Sequence, residues 1–578
     1  MEKGQIIDIK IEDMLDDGRA FGRYDGCAVF ISGSAVPGDR VSAKVTKAKK
    51  TSAEASVTDI LEPSENRIKA ECPYFRECGG CSLQELSYDA QKKLKKEQVR
   101  AKLKRLGGLD DPKVNDMIGA DTLKYYRNKA VFAVGPHGEV GFNKGKSHYV
   151  VDIEDCMLQT DAAMVCADAL RVFLRRTGVS CIKQMTVKTA FGTGEVMVVL
   201  ESENKEIRDI DELVGMFDAA VYSLSPAALE EGVAYETGEE TLGADDFEPA
   251  VLYSLESVAV IHKGKCRIIA GKPTITEKVT RSDGKELSYE ISPQSFYQVN
   301  PEQMPKLYDK AMEYAALTGK ETLLDLYCGV GTIGIWMADK AEKVIGIESV
   351  KPAVIDANRN SVINNIINTR YICGKAEEEL PGMMGLAKLW KWNEVNERVE
   401  RKPEITIEHA DVAVLDPPRA GCEEVLLEAV VKAAPDRIVY VSCDPGTLAR
   451  DIKYLSANGY EFIECTPVDQ FPWTSHIETV CLLSQRKPDT TIEVDLDISE
   501  LEVSSAETKA TYEEIKSYVL NKFGLKVSNL YIAQVKRECG IVERINYNLP
   551  KTEGNRVPQC PEDKRKAIKD AFIHFQMI

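Results

Sequence analysis

Two segments of the sequence place a reactive side chain where a predicted strand ends. In RIVYVSCDPGTLARD, Cys443 closes an apolar stretch, and Asp444 and Pro445 are typical of a helix N-cap and first helical position. In VAVLDPPRAG, Asp416 closes another apolar stretch. Because a helix N-terminus favours negative charge, we expect the Cys443 thiol to ionise readily. Together the two segments indicate nucleophilic chemistry beside a ligand site.

A cysteine nucleophile suits one methyl acceptor in particular, which is carbon 5 of uracil. That carbon is too weak a nucleophile to take a methyl group unaided, but addition of a thiolate to carbon 6 converts the ring to a nucleophilic enolate. A base must then remove the proton from carbon 5 so that the thiol can leave. Glu478, in WTSHIETV, is the predicted base, and His476 is the second choice. Taken alone, Glu478 is also compatible with a surface carboxylate.

A glycine-rich turn follows the predicted strand in TLLDLYCGVGTIG. Gly329, Gly331 and Gly334 form G-x-G-x-x-G, a spacing that lets a ligand approach the backbone where a helix begins. Glu348 ends the next predicted strand and is placed to bind both hydroxyls of a ribose. A nicotinamide-dependent dehydrogenase would use the same features. The lead-in from Asp325 resembles the first motif of S-adenosylmethionine methyltransferases, which favours that cofactor.

The elements that position these residues alternate between apolar strands and helices over residues 291–487, apart from a predicted surface excursion at 381–409. This alternation predicts a parallel, doubly wound sheet with its ligands at the carboxyl ends of the strands. The predicted fold class is therefore multidomain α/β, with a Rossmann-like S-adenosylmethionine methyltransferase domain. Around it we predict a small β-barrel at 1–62, an α+β domain at 63–290, a linker at 488–508 and a small helical unit at 509–578.

Three cysteines lie close together in CPYFRECGGC, and they are Cys72, Cys78 and Cys81. This spacing suits an iron–sulfur cluster or zinc, each of which needs a fourth ligand, and Cys156 is the best candidate. The residues alone do not separate a [4Fe–4S] cluster from zinc. A redox disulfide between Cys78 and Cys81 is a third interpretation. The remaining cysteines are scattered and do not indicate a disulfide framework.

Length and composition are those of a large globular protein, with 578 residues and a net charge of −18. No apolar run approaches the ~18 residues of a membrane span, and MEKGQIIDIK lacks the apolar core of a secretory signal, so we expect a cytoplasmic protein without a membrane partner. The acidic charge opposes non-specific nucleic-acid binding but permits a local basic patch. A helix predicted from about Ser87 to Leu106 carries such a patch, formed by Lys92, Lys93, Lys95, Lys96, Arg100, Lys102, Lys104 and Arg105.

The chain resembles the RNA uracil-5-methyltransferase family over roughly residues 1–485. The resemblance is carried, in this order, by SFYQVN, DLYCGVGTIG, IGIE, DPPRAG, VSCDPGTLARD and HIETV. It implies that Cys443 is the nucleophile and Glu478 the base. It also implies an S-adenosylmethionine site, for which we predict contacts from Gln298, Tyr327, Gly329, Gly331, Thr332, Glu348 and Asp416. Thr332 departs from the asparagine, and Lys375 from the asparagine or aspartate, that are common in bacterial ribosomal RNA members.

The resemblance extends to the cysteine motif and to the N-terminal segment. It implies a [4Fe–4S] cluster on Cys72, Cys78, Cys81 and Cys156, and a TRAM domain that binds RNA. The iron–sulfur motif accompanies ribosomal RNA members more often than bacterial tRNA members, so we expect 23S rRNA as the substrate, with tRNA as the alternative. We also expect a monomeric enzyme. A cytosine-5 or adenine-amino RNA methyltransferase and a non-catalytic RNA-binding or chaperone protein remain rival interpretations. Residues 509–578 either add RNA contacts or serve packing.

Overall fold

The structure is a computed structural model that describes residues 1–15, 17–145, 147–225, 252–392, 398–486, 511–539, 560–575 and 577. The chain divides into two compact units, Met1–Lys487 and Pro488–Ile578. The predicted linker at 488–508 falls outside the described residues. Within those ranges, no helix is both long and apolar enough to cross a membrane. The domain bounds drawn from the sequence stay a prediction.

The first unit begins with a six-stranded sheet of order β1-β5-β6-β4-β3-β2. Alternate residues of each strand point inward, as Ile7 and Ile9 do in the first strand, and they close a small apolar core. The third strand was not predicted from the sequence, because Gly22 and Arg23 interrupt its apolar pattern. The strands are β1 (Ile6–Lys10), β2 (Asp13–Met14), β3 (Ala20–Tyr24), β4 (Cys27–Ser32), β5 (Arg40–Ala48) and β6 (Ser52–Glu62).

The predicted basic helix is present as α1 (Tyr88–Arg105), which begins after Ser87. Lys95 does not belong to its basic surface, however. Its side chain is 0% exposed and its ammonium lies 2.7 Å from the equally buried carboxylate of Asp469. The sequence prediction was wrong at this position because the helix buries one face against the methyltransferase domain.

A seven-stranded sheet of order β13-β12-β11-β10-β7-β8-β9 follows α1, and two helices pack on it in the predicted α+β manner. Neighbouring strands are antiparallel except for the β11–β12 pair. The helices are α2 (Asp161–Thr177) and α3 (Ile210–Tyr222). The strands are β7 (Lys129–Val134), β8 (Val140–Asn143), β9 (Val150–Asp152), β10 (Ile182–Thr189), β11 (Glu195–Ser202), β12 (Ser254–His262) and β13 (Lys265–Gly271).

A hairpin and a helix join this sheet to the methyltransferase domain. They are β14 (Ile275–Thr280), β15 (Glu286–Ile291) and α4 (Gln303–Ala315). One hydrophobic cluster includes Met197 of β11, Tyr308 of α4 and Trp336 of the next helix. The core is therefore continuous across the boundary that the sequence analysis placed between residues 290 and 291.

The methyltransferase sheet has seven strands in the order β18-β17-β16-β21-β22-β24-β23. The pairs formed by the first five strands of this list are parallel, but β24 is antiparallel to both of its neighbours. The predicted parallel arrangement is confirmed for these five strands, and the sheet ends in an antiparallel hairpin because residues 469–477 are too few for a crossover helix. The strands are β16 (Thr322–Leu326), β17 (Lys343–Glu348), β18 (Thr369–Cys373), β21 (Val412–Leu415), β22 (Arg437–Ser442), β23 (Tyr460–Val468) and β24 (Glu478–Gln485).

Helices connect the parallel strands, as the alternating pattern predicts. They are α5 (Thr332–Met337), α6 (Lys351–Ile363), α7 (Ala376–Met383), α8 (Glu424–Ala433) and α9 (Pro445–Ala457). Asp444 caps α9 as predicted, accepting hydrogen bonds from the backbone N–H groups of Gly446 and Thr447. The predicted excursion contains the hairpin formed by β19 (Leu389–Trp392) and β20 (Arg398–Arg401).

The second unit has its own apolar core, to which Ile515, Ile532 and Phe572 contribute. Its described helices are α10 (Tyr512–Phe523), α11 (Asn529–Glu538) and α12 (Glu562–His574). Thr511 forms a capping box at the start of α10, and Gly524 ends that helix in a left-handed conformation. These helices agree with the prediction of a small helical unit.

Candidate active site

The predicted nucleophile and cofactor residues meet at one edge of the methyltransferase sheet. Four parallel strands end at this edge. Strand β17 ends on Glu348, and β16, β21 and β22 are followed directly by Tyr327, Asp416 and Cys443. The backbone N–H of Asp416 donates to the carbonyl of Leu326 at 3.2 Å, which fixes β21 beside the glycine loop. Ligands of open α/β sheets bind at such an edge.

The glycine loop is held in shape by the carboxylate that ends β17. One Glu348 oxygen accepts from the N–H of Gly329 at 3.1 Å, and the other accepts from the N–H of Val350 at 2.7 Å. Gly331 has a φ of 80°, and a Cβ there would lie 2.7 Å from the Tyr371 hydroxyl. Glycine is required at this position by both the backbone conformation and the lack of space.

Asp325, to which the sequence analysis gave no role of its own, supports the same loop from below. One of its oxygens accepts from the N–H of Gly334 at 2.8 Å, and the other is buried without a hydrogen-bond partner. Burial, with smaller contributions from Asp416 and Glu348, raises the pKa of Asp325 to about 7. Its place beside a glycine loop is the sequence feature by which it could have been found.

Gln298 and Thr332 lie against one buried tyrosine at the wall of the site. The hydroxyls of Tyr308 and Thr332 are 2.9 Å apart, and the Gln298 side chain also interacts with the Tyr308 hydroxyl. The backbone carbonyl of Gln298 accepts a 2.9 Å hydrogen bond from the Asn128 side chain. Tyr327 has a φ of 66° and donates from its hydroxyl to Glu377. These contacts place Gln298 and Thr332 beside one another, and the role of the predicted residues in holding the cofactor stays a prediction.

Cys443 opens into a small cavity of about 150 Å³. Helix α1 contributes Lys102 to its lining, and the segment before β24 contributes the exposed His476. Burial, followed by the charges of Glu478 and Asp416, raises the pKa of the Cys443 thiol to about 12, while Arg419 acts in the opposite direction. The expectation of a readily ionised thiol was wrong for the free protein.

Burial is the main cause of the raised Cys443 pKa, and the charges around the start of α9 do not offset it. Asp444 accepts the N–H groups of the first helical turn, and its carboxylate thereby offsets their positive field. Glu478 is buried, and its pKa is raised well above the usual range by burial and then by Asp416. Burial also raises the pKa of Asp416 to about 7. The Asp416 carboxylate makes no hydrogen bond to any residue in the part of the chain that the structure describes.

S-adenosylmethionine fits this group of side chains. Its sulfonium is positively charged, and the site brings together Asp325, Asp416 and Glu478, whose ionisation is resisted by burial. An arriving cation would favour the ionised form of each carboxyl group. Within the described part of the chain, the Asp416 carboxylate and one Asp325 oxygen also have hydrogen-bonding capacity that no residue uses. Beside Glu348, a Cβ added at Gly329 would meet no atom within 4 Å, so the glycine loop is open at this point.

The four cysteines of the predicted metal site line one cavity of about 200 Å³, together with Arg127. Burial raises the pKa of Cys81 to about 12 and that of Cys156 to about 11. All sixteen cysteines are free thiols. In the described parts of the chain, no three His, Cys, Asp or Glu side chains are arranged to hold a metal ion. The four thiols thus share one cavity, but their arrangement does not support a metal site, which stays a prediction.

The fold and site define a class of protein, the S-adenosylmethionine-dependent methyltransferases that act on a nucleobase. Numbered in chain order, the sheet runs 3-2-1-4-5-7-6, and its antiparallel last hairpin departs from the 3-2-1-4-5-6 order of dinucleotide-binding folds. Comparison with known proteins agrees. The tRNA (Uracil-5-)-methyltransferase family matches residues 251–486, and the TRAM domain family matches residues 1–58. The chain belongs to the RNA uracil-5-methyltransferase family, and it is an S-adenosylmethionine-dependent enzyme that acts on RNA.

Several relatives match over most of the chain. An uncharacterized RNA methyltransferase of Halalkalibacterium halodurans is 35% identical, over 84% of this chain and 98% of that protein. Another, from Caldanaerobacter subterraneus, is 37% identical, over 83% of this chain and 98% of that protein. The crystal structure of a tRNA (uracil-54, C5)-methyltransferase of Pyrococcus abyssi in complex with S-adenosyl-L-homocysteine is similar, with a TM-score of 0.58. It is 26% identical and covers 82% of this chain and 99% of its own.

Proposed function

We propose that this enzyme methylates carbon 5 of a specific uridine in 23S rRNA through a covalent bond between the base and Cys443. One observation carries the mechanism: Cys443 lines a small cavity and lies near enough to Glu478 and Asp416 for their charges to oppose ionisation of its thiol. This proximity supports a nucleophile and a base that act on one ring beside the cofactor edge.

The proposed reaction uses Cys443 and Glu478 in sequence. After losing its proton to solvent, Cys443 adds through Sγ to carbon 6, and the electron pair of the C5=C6 bond moves into the ring as an enolate. S-adenosylmethionine, when bound, supplies the methyl group to carbon 5 and leaves as S-adenosylhomocysteine. Ionised Glu478 then removes the proton from carbon 5, the C5=C6 double bond re-forms, and the electron pair of the C6–S bond returns to Cys443.

RNA reaches this cavity with the target base extruded from its helix, as modification of a base inside a duplex requires. Lys102 and Arg419 line the cavity and would receive the negative phosphates on either side of the base. Lys102 is in the last turn of α1, and Lys104 and Arg105 of the same turn would extend this contact with the RNA backbone. The TRAM domain supplies a further RNA-binding surface.

The test is transfer of labelled methyl groups to unmodified transcripts of 23S rRNA and of tRNA, with mass analysis of the nucleosides. We expect 5-methyluridine in 23S rRNA, abolished by Cys443→Ala and retained by Cys166→Ala, which removes a buried thiol of α2 far from the site in sequence. Glu478→Gln should accumulate a covalent enzyme–RNA complex. Methylation of another base would contradict the reaction, and transfer by Cys443→Ala would contradict the nucleophile.

Transfer RNA is the second candidate substrate. The observation that favours it is the similarity to the Pyrococcus abyssi enzyme, whose own description names tRNA. The two substrates are separated by the same assay, because product in the tRNA transcript alone would overturn the 23S rRNA assignment.

We also propose that Cys72, Cys78, Cys81 and Cys156 hold a [4Fe–4S] cluster. The support is the family resemblance of the motif and the common cavity that the four thiols line. Protein purified without oxygen should contain about four irons and four sulfides per chain. Cys156→Ser should lose them, while Cys166→Ser should keep them. About one zinc per chain, with no sulfide, would instead show the alternative metal.

A further inference from the structure

The segment between β23 and β24, residues 469–477, ends immediately before the proposed base Glu478. We call it the base loop. Its last residues, Ser475, His476 and Ile477, line the cavity onto which Cys443 opens. Whatever fixes the base loop therefore also fixes the position of Glu478 and one wall of the reaction cavity.

The two residues that follow the cysteine motif hold the base loop by direct hydrogen bonds. The backbone N–H groups of Ser82 and Leu83, the two residues after Cys81, donate to the carbonyl of Trp473 at 3.0 and 2.9 Å. In return, the N–H of Ser475 donates to the hydroxyl of Ser82 at 2.9 Å. Three hydrogen bonds thus join residues that are far apart in sequence, and one of them ends three residues before Glu478.

Trp473 is the apolar part of the same junction. Its side chain belongs to a buried cluster that includes Cys81 and Cys156, two of the four cysteines that line the metal-site cavity. Its indole Nε1–H donates to the Leu123 carbonyl at 2.8 Å, and its backbone has a φ of 68°. A bulky residue keeps such a conformation only where its surroundings hold it in place.

The start of the base loop is fixed as well. Lys95 of α1 pairs with Asp469 at 2.7 Å and donates to the Phe471 carbonyl at 3.1 Å. The hydroxyl of Tyr126 donates to the Pro472 carbonyl at 3.0 Å. With its first residues held in this way, the remaining freedom of the loop lies between Trp473 and Glu478, where Ser82 makes its contact.

We propose that Ser82 and Trp473 are positioning residues that place Glu478 for removal of the carbon 5 proton, and that they couple the cysteine motif to the reaction cavity. The proposal rests on the role of Glu478 in the proposed function. It follows from the geometry: a base displaced by about 1 Å can lose 10²-fold in rate, because proton transfer requires hydrogen-bonding distance. The coupling gives the cysteine site a task in catalysis although it lies far in sequence from Cys443.

The test compares Ser82→Ala and Trp473→Phe with wild type on an RNA that wild type methylates. Ser82→Ala removes the acceptor for the Ser475 N–H, and Trp473→Phe removes the indole donor. The matched control is Ser202→Ala, which removes a buried hydroxyl that likewise accepts a backbone N–H, at 3.1 Å from Asn204, in the α+β domain. Turnover, the KM for S-adenosylmethionine and cofactor affinity by calorimetry are measured for each protein.

We expect kcat to fall at least tenfold in both variants, with unchanged cofactor affinity and an accumulated covalent complex between the enzyme and methylated RNA. The complex should accumulate because methyl transfer precedes the step that Glu478 performs. Unchanged kcat, or a loss of cofactor affinity without the complex, would overturn the proposal. If Trp473→Phe does not fold, Ser82→Ala decides. Failure of Glu478→Gln itself to trap a complex would count against the proposed function instead.

Discussion

The protonation state of Cys443 in the free enzyme can be predicted from the charges around its thiol. Burial, Glu478 and Asp416 raise its pKa to about 12. At pH 8 the thiol is then about four units below its pKa, so only about one molecule in 10⁴ carries the thiolate. Because alkylating reagents react with the thiolate, the reaction rate should rise about tenfold for each pH unit between 7 and 10.

The assay is alkylation by iodoacetamide at a series of pH values, followed by mass analysis of the peptide that contains Cys443. The exposed Cys373 provides an internal comparison in the same digest and should react faster at pH 8. Glu478→Gln should make Cys443 react faster at the pH values at which Glu478 is ionised, since it removes a negative charge that opposes the thiolate. Arg419→Ala should make it react more slowly, since Arg419 is the charge that lowers the pKa of this thiol.

A rate that levels off below pH 9 would refute this reasoning. It would show that the N-terminus of α9 outweighs burial and the two carboxyl groups, as the sequence alone had led us to expect. A slower reaction in Glu478→Gln would refute the assigned sign of the Glu478 contribution, even if the overall pH dependence were steep.

Three further predictions concern stability and cofactor binding. Burial raises the pKa of Asp416 to about 7, from an ordinary value near 3.8. The protonated Asp416 carboxyl therefore contributes its full stability below pH 3.8, and this contribution is lost as the pH rises through 7. Because asparagine does not titrate, the melting temperature of Asp416→Asn minus that of wild type should increase from about pH 5 to about pH 8. Lys95→Met should lower the free energy of unfolding by about 3–5 kcal/mol in denaturant titrations, because it leaves Asp469 buried without its partner, and adding Asp469→Leu should recover most of the loss. Gly331→Ala should abolish most S-adenosylmethionine binding in calorimetry while the unit stays folded, because the added Cβ meets the Tyr371 hydroxyl at 2.7 Å.

The sequence predicted the parts of the fold that depend on local patterns. The start of α9 at Asp444 and Pro445 follows from cap chemistry, and the glycine loop follows from the spacing of its glycines. The strand β3 and the antiparallel direction of β24 were not predicted, for physical reasons. In β3 the apolar alternation is interrupted, and the direction of β24 depends on the length of the base loop rather than on the strand's own residues.

The candidate site shows the same division between local and distant causes. Strand ends and motif order predicted which side chains meet at the sheet edge, since parallel strands carry their C-terminal residues to one side. The charge state of Cys443 could not be predicted in this way, because it is set by Glu478 and Asp416, which reach the thiol from two other strands.

The link from Ser82 to the base loop could not be predicted from the sequence for a related reason. It consists of backbone groups and one hydroxyl, which carry no sequence signature. A motif identifies the groups that react, whereas the groups that hold them in place are found only where distant segments make contact. The buried Lys95 illustrates this most directly. The sequence pattern placed this cation on the RNA-facing surface, whereas in the structure it pairs with Asp469 and holds the base loop that precedes Glu478.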